Sequence, residues 1–169
     1  MSENLYNRIL ESYETSQQIE ELDEVVITYL VFRIGKNSYA IESAEVQEIL
    51  RNNEVFPMPF VPPYIRGVLN SYGDPFAVLD LSVLFGGEAQ DSGLFMILKN
   101  KNNISLQVSE IQEFHSSKDV KFQKISDFGE AQYFSGAITF AGRGVEEITV
   151  PILGLTEIIE KIRKDIENI

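Results

Sequence analysis

The sequence predicts a mainly β fold made of two similar small β-barrels packed together. After Val25, apolar and polar residues alternate with the period of a strand. Turn-forming clusters such as Asn70–Pro75 separate the short apolar runs. The order of these features in the first half of the chain recurs in the second half. Each half carries about five short strands over roughly 60 residues, which is the size of a small barrel that removes its edges by closing.

Composition excludes several functions. The chain of 169 residues has a net charge of −12, no cysteine and one histidine, His115. The negative charge argues against nucleic-acid binding and against anionic membrane surfaces. The absence of cysteine excludes disulfides and thiolate metal sites and is typical of the cytoplasm. We find neither a signal-peptide pattern nor an apolar window of about 18 residues, so no membrane insertion is expected.

Both ends of the chain carry apolar residues at helical spacing. Residues 1–24 form an acidic leader in which Leu5, Ile9 and Tyr13 recur, so the leader is expected to be helical or disordered. It is either a partner-binding helix or a segment packed loosely on its own domain. Residues 155–169 are predicted to form an amphipathic helix with acids early and bases late. This helix either covers a barrel end or offers an exposed face to a partner.

The first barrel is predicted at about residues 25–85. Its elements are expected in this order: strand Thr28–Ile34, turn Gly35–Ser38, strand Tyr39–Ile41, a short helix capped by Ser43 with Val46, Ile49 and Leu50 on one side, and an extended connector with Pro57, Pro59, Pro62 and Pro63. Two apolar runs, Tyr64–Leu69 and Phe76–Leu81, then flank the turn at Asn70–Pro75. Gly67 interrupts the first run, which indicates a bulge or the close approach of another backbone. This hairpin is a candidate binding edge.

The second barrel, predicted at about residues 94–155, repeats the first. The matches are Leu30–Phe32 with Phe95–Ile97 and Glu45–Ile49 with Glu110–Phe114 at a shift of 65, then Tyr64–Leu69 with Tyr133–Ile138 and Gly73 with Gly142 at a shift of 69. Four matches in the same order indicate an internal duplication. A groove between two similar barrels is a usual place for binding.

Catalytic candidates are few. Asp80 follows an apolar run, where a turn or cap acceptor is favoured over a general acid or base. His115 is expected on the surface, because no nucleophile and no second histidine accompany it. No metal-ligand spacing is present, so neither a metal nor a cofactor is expected. A small β-barrel enzyme or ligand-binding protein that uses Asp80 and the groove is the remote alternative.

Several segments together resemble the CheW family over about residues 25–162. They are Tyr29–Gly35, Tyr39–Ile41, Val46–Ile49, Pro63–Asn70 and Val78–Leu81. The resemblance implies two intertwined five-stranded SH3-like barrels, with strand exchange between them, a short helix and a C-terminal helix. It also implies a non-enzymatic adaptor that couples chemoreceptor tips to the regulatory domain of a CheA-type histidine kinase, at membrane-bound receptor arrays in the cytoplasm. Other CheW-like proteins are further candidate partners.

The resemblance and the turn signals select six candidate partner-binding residues: Val46, Glu48, Gly67, Asn70, Tyr72 and Gly73. On this basis Gly67→Asp is expected to weaken partner binding while the fold stays cooperative. Tyr72 stands where the family usually has an arginine, and tyrosine lacks its charge and its fork of donors. The sequence therefore allows two functions: a conventional coupling adaptor with an aromatic contact, or a specialised scaffold that links array components without controlling the kinase.

Overall fold

The computed structural model describes residues 7–12, 24–125 and 132–169, and it confirms the predicted mainly β fold. The strands are β1 (Thr28–Ile34), β2 (Asn37–Glu42), β3 (Val46–Arg51), β4 (Ile65–Ser71), β5 (Asp74–Asp80), β6 (Leu94–Leu98), β7 (Ile104–Val108), β8 (Glu110–Ser116), β9 (Lys121–Lys124), β10 (Phe134–Ala141) and β11 (Glu147–Leu153). Helix α1 (Leu81–Leu84) follows β5, and helix α2 (Leu155–Glu167) follows β11. Residues 7–12 are helical, and the rest of the predicted leader up to residue 23 lies outside the described residues.

The two sheets exchange strands between the two halves of the chain. One sheet has the order β8-β1-β2-β11-β10-β9, and the other has the order β3-β6-β7-β5-β4. The exchange is reciprocal: β8 pairs with β1 as β3 pairs with β6, and β11 lies parallel to β2 as β5 lies parallel to β7. Neither predicted half builds a sheet by itself. The boundaries 25–85 and 94–155 stay predictions about the repeat unit.

The six-stranded sheet must curl. Its end strands β8 and β9 are consecutive in the chain, with only residues 117–120 between them. In a flat sheet, five spacings of about 4.8 Å would separate these strands by about 24 Å. The five peptide units from Ser116 to Lys121 reach at most about 19 Å. The two end strands therefore approach each other around the sheet.

In the five-stranded sheet, the chain just after β3 meets β4. Phe56 and Val68 form an isolated antiparallel bridge, in which each N–H donates to the carbonyl of the other residue at 2.8 and 2.9 Å. A continuous ladder between the end strands of either sheet is absent from the described residues. Complete closure into two barrels therefore stays a prediction.

Three apolar clusters form the core. One cluster lies within the six-stranded sheet and includes Tyr29 and Val31, and a second lies within the five-stranded sheet. The largest cluster lies between the sheets and includes Leu30 and Phe32. Side chains of a strand point alternately to its two faces, so both faces of β1 are buried. This explains why β1 is apolar at almost every position.

The burial of these strands corrects the predicted register of the repeat by one residue. Tyr29 and Val31 lie within their own sheet, as Phe95 and Ile97 do in β6. Tyr29 therefore corresponds to Phe95 and Val31 to Ile97, which is a shift of 66 residues and not 65. A shift of 65 would match residues that point to opposite faces of their sheets. The predicted matches of β3 with β8 and of β4 with β10 fall on equivalent strands.

The predicted helix after Ser43 is wrong. A 3-10 turn, Ser43–Glu45, leads directly into strand β3, and its N-cap residue is Glu42 and not Ser43. Strand β3 pairs with β6 from Val46 to Arg51, with partial burial at every second residue. The pairing with β6, which lies far away in the sequence, decides the conformation of a segment whose local signals favoured a helix.

Packing and hydrogen bonds fix helix α2 to the largest apolar cluster, which lies between the two sheets and is called the central cluster below. Ile158 is buried, and the Tyr64 hydroxyl donates to the Asp165 carboxylate at 2.8 Å. The ammonium of Lys161 donates to the same carboxylate at 2.7 Å. The hydrogen bonds from Lys161 and then from Tyr64 lower the pKa of Asp165, whereas burial raises the pKa of Tyr64.

Candidate partner-binding surface

The tip of the β4–β5 hairpin displays Tyr72. Ser71 pairs with Asp74, so the loop contains only Tyr72 and Gly73, with φ of 51° and 91°. Two-residue hairpin loops with positive φ at both positions favour asparagine and glycine, and tyrosine in this region costs about 1 kcal/mol. The Tyr72 side chain is nevertheless 93% exposed. The turn therefore exposes the aromatic ring of Tyr72 to solvent, although tyrosine disfavours the positive φ of this position.

Hydrogen bonds fix the residues around this tip. The Gly73 N–H donates to Asn70 Oδ1 at 3.0 Å, which orders the turn. The hydroxyl of the buried Ser71 donates to Glu48 Oε1 at 2.7 Å and so ties β3 to β4. The structure thus brings four of the six predicted residues, Glu48, Asn70, Tyr72 and Gly73, to one corner. We call this group the hairpin corner.

Val46 and Gly67 do not join the hairpin corner. Val46 is half-buried and packs against the central cluster. Gly67 is buried, with φ of 142°, and the Phe56 carbonyl oxygen occupies the place where a Cβ would stand. The predicted bulge and close backbone approach at Gly67 are both confirmed. The expectation that Gly67→Asp leaves the fold intact is wrong, because its side chain would collide with backbone atoms.

The duplication repeats this crossing. Gly136, the equivalent of Gly67, lies opposite Lys124 in the β10–β9 pair. The ladder on the other side of β10, with β11, shifts its register between Phe134 and Gly136. A Cβ on Gly136 would lie 2.7 Å from the carbonyl oxygen of Gln123. Each half therefore uses one glycine to let the chain that follows β3 or β8 pass closely over the next strand.

Sequence reasoning missed the apolar side chains of the connector between β3 and β4. Phe56, Met58 and Phe60 are exposed, and Phe60 is 89% exposed with φ of 56°. The amide of Asn53 reaches the Asn70 carbonyl at 3.5 Å, so the start of the connector adjoins the hairpin corner. The available signal was the alternation of apolar residues with Pro57 and Pro59, which have no N–H to donate to a strand. Exposed apolar patches of this kind mark interaction surfaces.

The second half exposes apolar residues at or next to the equivalent positions. Phe114 of β8 corresponds to Ile49 of β3. Phe122 of β9 precedes Gln123, the residue that corresponds to Phe56. The four apolar side chains are exposed. The molecule therefore presents two related apolar surfaces, one from each half, and the hairpin corner borders the first.

Asp80 has a structural role. Its carboxylate is buried and accepts from the N–H groups of Ser82 and Val83 at 3.0 and 3.4 Å, and from the N–H of Gln90 at 2.7 Å. It caps α1, as the favoured interpretation of the sequence held. A general acid or base needs a carboxylate that the substrate can reach. Because the Asp80 carboxylate is buried, Asp80 does not fit the catalytic role that the remote enzyme alternative gave it.

His115, which was expected on the surface, is half-buried. Its ring stacks on Phe140 with 3.9 Å between ring centroids, and Nε2 lies 3.4 Å from the Glu113 carboxylate. Across the described ranges, no group of three or more His, Asp or Glu residues could hold a metal ion. No helix in the described part of the chain is long and apolar enough to span a membrane.

Comparison with known proteins agrees with this geometry. The CheW-like domain family matches residues 28–163. The chemotaxis protein CheW of Helicobacter pylori is 25% identical over 162 residues, covering 94% of this chain and 95% of its own length. CheW of Rhizobium meliloti is 24% identical over 121 residues, covering 68% of this chain and 78% of the relative. The scaffolding protein TtCheW from Thermoanaerobacter tengcongensis has the same fold, with a TM-score of 0.63 at 17% identity over 77% of this chain and 90% of that chain.

Two reciprocally exchanged sheets with exposed apolar corners define a protein-binding scaffold. The chain belongs to the CheW-like domain family, since the match covers most of its length. The predicted resemblance is confirmed, and with it the general class of a chemotaxis scaffold or adaptor.

Proposed function

We propose that this chain is a non-enzymatic adaptor that couples the cytoplasmic tip of a chemoreceptor to the regulatory domain of a CheA-type histidine kinase, in membrane-associated receptor arrays. Tyr72 carries the proposal. It is almost fully exposed on a short, hydrogen-bonded turn. A rigid, exposed aromatic ring beside other exposed apolar side chains is the usual anchor of a protein interface.

The two related apolar surfaces support an adaptor that holds more than one partner. The first surface contains Ile49 and Phe56 next to the hairpin corner, and the second contains Phe114 and Phe122. Surfaces on different halves can be occupied at the same time by a kinase domain and by a receptor or another CheW-like protein. Each contact is small, so the array gains its strength from multivalency.

Binding measurements test the proposal. The chain is titrated with the isolated kinase regulatory domain and with a receptor-tip helical hairpin. Tyr72→Ser is expected to weaken binding to one of them at least tenfold, a loss of about 1.4 kcal/mol. Val25→Ser removes a comparably exposed apolar side chain elsewhere and serves as the matched control. Absence of binding to both partners at high micromolar concentration, or equal effects of the two variants, contradicts the proposal.

The second candidate function is a scaffold that links array components without receptor control of the kinase. The observation that favours it is the tyrosine at the position where the family usually has arginine. Tyrosine cannot form the bidentate charged contact that arginine forms with a carboxylate. In reconstituted arrays, a kinase that is recruited but not controlled by receptors favours this scaffold, and restored control with Tyr72→Arg identifies the cause. Receptor control with the native Tyr72 favours the coupling adaptor.

A further inference from the structure

Four aromatic rings line a cavity at the edge of the central cluster. They belong to Tyr39 of β2, Phe85 after α1, and Tyr133 and Phe134 at the start of β10. The ring centroid of Phe85 lies 5.7 Å from that of Tyr39 and 5.5 Å from that of Phe134. Rings at these separations are in contact. They therefore form one continuous surface, which we call the aromatic wall, beside a cavity of about 490 Å³.

The lining of this cavity selects the chemistry of its ligand. Among the described residues, those that line it include no acidic and no basic side chain, so it offers no counter-charge to an ion. The rings touch one another, and they do not surround a space in which a cation could be enclosed. The exposed amides of Asn37 and Gln132 supply hydrogen-bond donors at the rim. The cavity therefore fits an uncharged, apolar segment with free carbonyl groups.

Extended proline-containing segments have this chemistry, and the chain exposes one. Such segments leave their carbonyls free and dock on grooves lined by aromatic rings. In the connector between β3 and β4, residues 56–60 read Phe-Pro-Met-Pro-Phe, and all five are exposed and uncharged. Pro57 and Pro59 fix their own φ and hold the residue before each of them in an extended conformation. The connector thus presents a short extended segment to solvent.

The connector is held on its own sheet at both ends. Phe56 is bridged to Val68, and the carbonyl of Pro62 accepts from the N–H of Ile65 at 2.9 Å. None of the exposed residues 56–60 lines the cavity of its own chain. A ligand of this kind must therefore come from another molecule. The anchored ends also order the connector before it binds, which lowers the entropic cost of docking.

We propose that residues 56–60 of one copy of the chain dock on the aromatic wall of a second copy. The contact joins different surfaces of the two molecules, so each pair keeps one free connector and one free aromatic wall, and the assembly can grow beyond a dimer. The contact area is small, so association is expected at high micromolar concentration. The inference does not depend on the proposed adaptor function, because its readout is the association of this chain with itself.

Two variants block the two sides of the contact. Met58→Glu places a carboxylate in the connector, and the double variant Asn37→Glu with Gln132→Glu places two at the rim of the aromatic wall. Sedimentation at about 0.15 M salt, which screens the net charge of −12, should show a native mass that rises with concentration. Each variant should need at least about tenfold more protein for the same mass. Val145→Glu adds the same charge at a fully exposed position and should associate as the native chain does.

A mixture of the blocked variants tests the head-to-tail arrangement. The Met58→Glu chain keeps its aromatic wall, and the double variant keeps its connector. Each alone should stay monomeric, whereas an equimolar mixture should form dimers that do not grow further. A native chain that stays monomeric at about 1 mM, or a mixture that stays monomeric there, overturns the proposal. Association that survives in Met58→Glu also overturns it, and circular dichroism confirms that each variant is folded.

A peptide separates a second copy from a partner of similar chemistry. The probe is the capped peptide Val-Phe-Pro-Met-Pro-Phe-Val, the sequence of residues 55–61. It should shift the amide signals of Phe85 and Phe134 in isotope-labelled chain and should compete with self-association. A peptide with alanine at both proline positions should do neither. Binding of the peptide to a native chain that stays monomeric assigns the aromatic wall to a proline-containing segment of another protein and overturns the contact between copies.

Discussion

The carbonyl oxygen of Phe56 lies over Gly67 at the point where a side chain would begin. Phe56 is bonded through its backbone to Val68, so it cannot withdraw without breaking the bridge between the chain after β3 and strand β4. Gly67 therefore has a structural role. Replacement of Gly67 is expected to affect partner binding only by displacing the connector between β3 and β4, which carries Phe56.

Gly67→Ala should lower the free energy of unfolding by about 1–3 kcal/mol or more, because the added methyl group collides with backbone atoms and the φ of 142° strains the residue. Chemical denaturation followed by circular dichroism measures this loss. Gly144→Ala is the matched control, since nothing lies near its Cβ position and its stability should be unchanged. Equal stabilities of the two variants would contradict the crossing as described.

Gly136→Ala should destabilise the six-stranded sheet in the same way, because the Gln123 carbonyl lies over it. The expected loss is again about 1–3 kcal/mol. Hydrogen exchange of the β9–β10 amides locates the effect. Exchange that accelerates only in the five-stranded sheet would argue against equivalent roles of the two glycines.

Tyr72→Asn should stabilise the fold by up to about 1 kcal/mol while weakening partner binding. Asparagine accepts positive φ more readily than tyrosine, and it removes the exposed ring. Thermal unfolding and a binding titration give the two values. Tyr72→Phe keeps the ring and the strain, so it should match the native chain in stability. A variant Tyr72→Asn that binds as well as the native chain would show that the ring is no anchor.

Protonation of Asp165 should loosen α2 in acid. Its pKa is lowered in the folded chain, first by the hydrogen bond from Lys161 and then by that from Tyr64. The stabilisation is therefore fully present above the pKa of an unfolded aspartate, about 4, and is lost as the pH falls through the lower folded pKa. Asp165→Asn should remove this part of the acid dependence and cost about 1 kcal/mol at neutral pH.

Denaturant titrations at neutral and acidic pH measure the effect of Asp165, with the exposed Asp119→Asn as the control. Tyr64→Phe separates the two donors, since it removes the hydroxyl and leaves the contact with Lys161. If Asp165→Asn keeps the same acid dependence as the native chain, another carboxylate governs that range of pH.

Asp80→Ala should destabilise the fold by about 2–4 kcal/mol, because it leaves the buried N–H groups of the α1 cap and of Gln90 without an acceptor. Asp74→Ala, at the exposed start of the same strand, should cost little. Urea unfolding of both variants makes the comparison. A small loss for Asp80→Ala would mean that water replaces the carboxylate.

Local patterns in the sequence were sufficient to predict most strands, the hairpin turn at Tyr72 and Gly73, the cap at Asp80 and the internal duplication. Each depends on residues close together in the chain: alternation for strands, glycine for positive φ, and a short polar side chain for a cap. The turn signals selected Asn70, Tyr72 and Gly73 of the hairpin corner in this way, whereas Glu48 was selected through the resemblance. The exposed Phe56 and Phe60 were missed because apolar residues near a strand are usually assigned to the core.

The sequence by itself determined that the chain is a duplicated, strand-rich protein of the CheW-like family with a sharp aromatic turn. Only the tertiary structure decided that residues 46–51 are a strand, that the halves exchange strands, and that Gly67 is enclosed while Tyr72 is free in solvent. The physical reason is that pairing with a strand some 50 residues away, and the passage of one backbone over another, leave no local periodicity to read. They depend on contacts that exist only when the chain is folded.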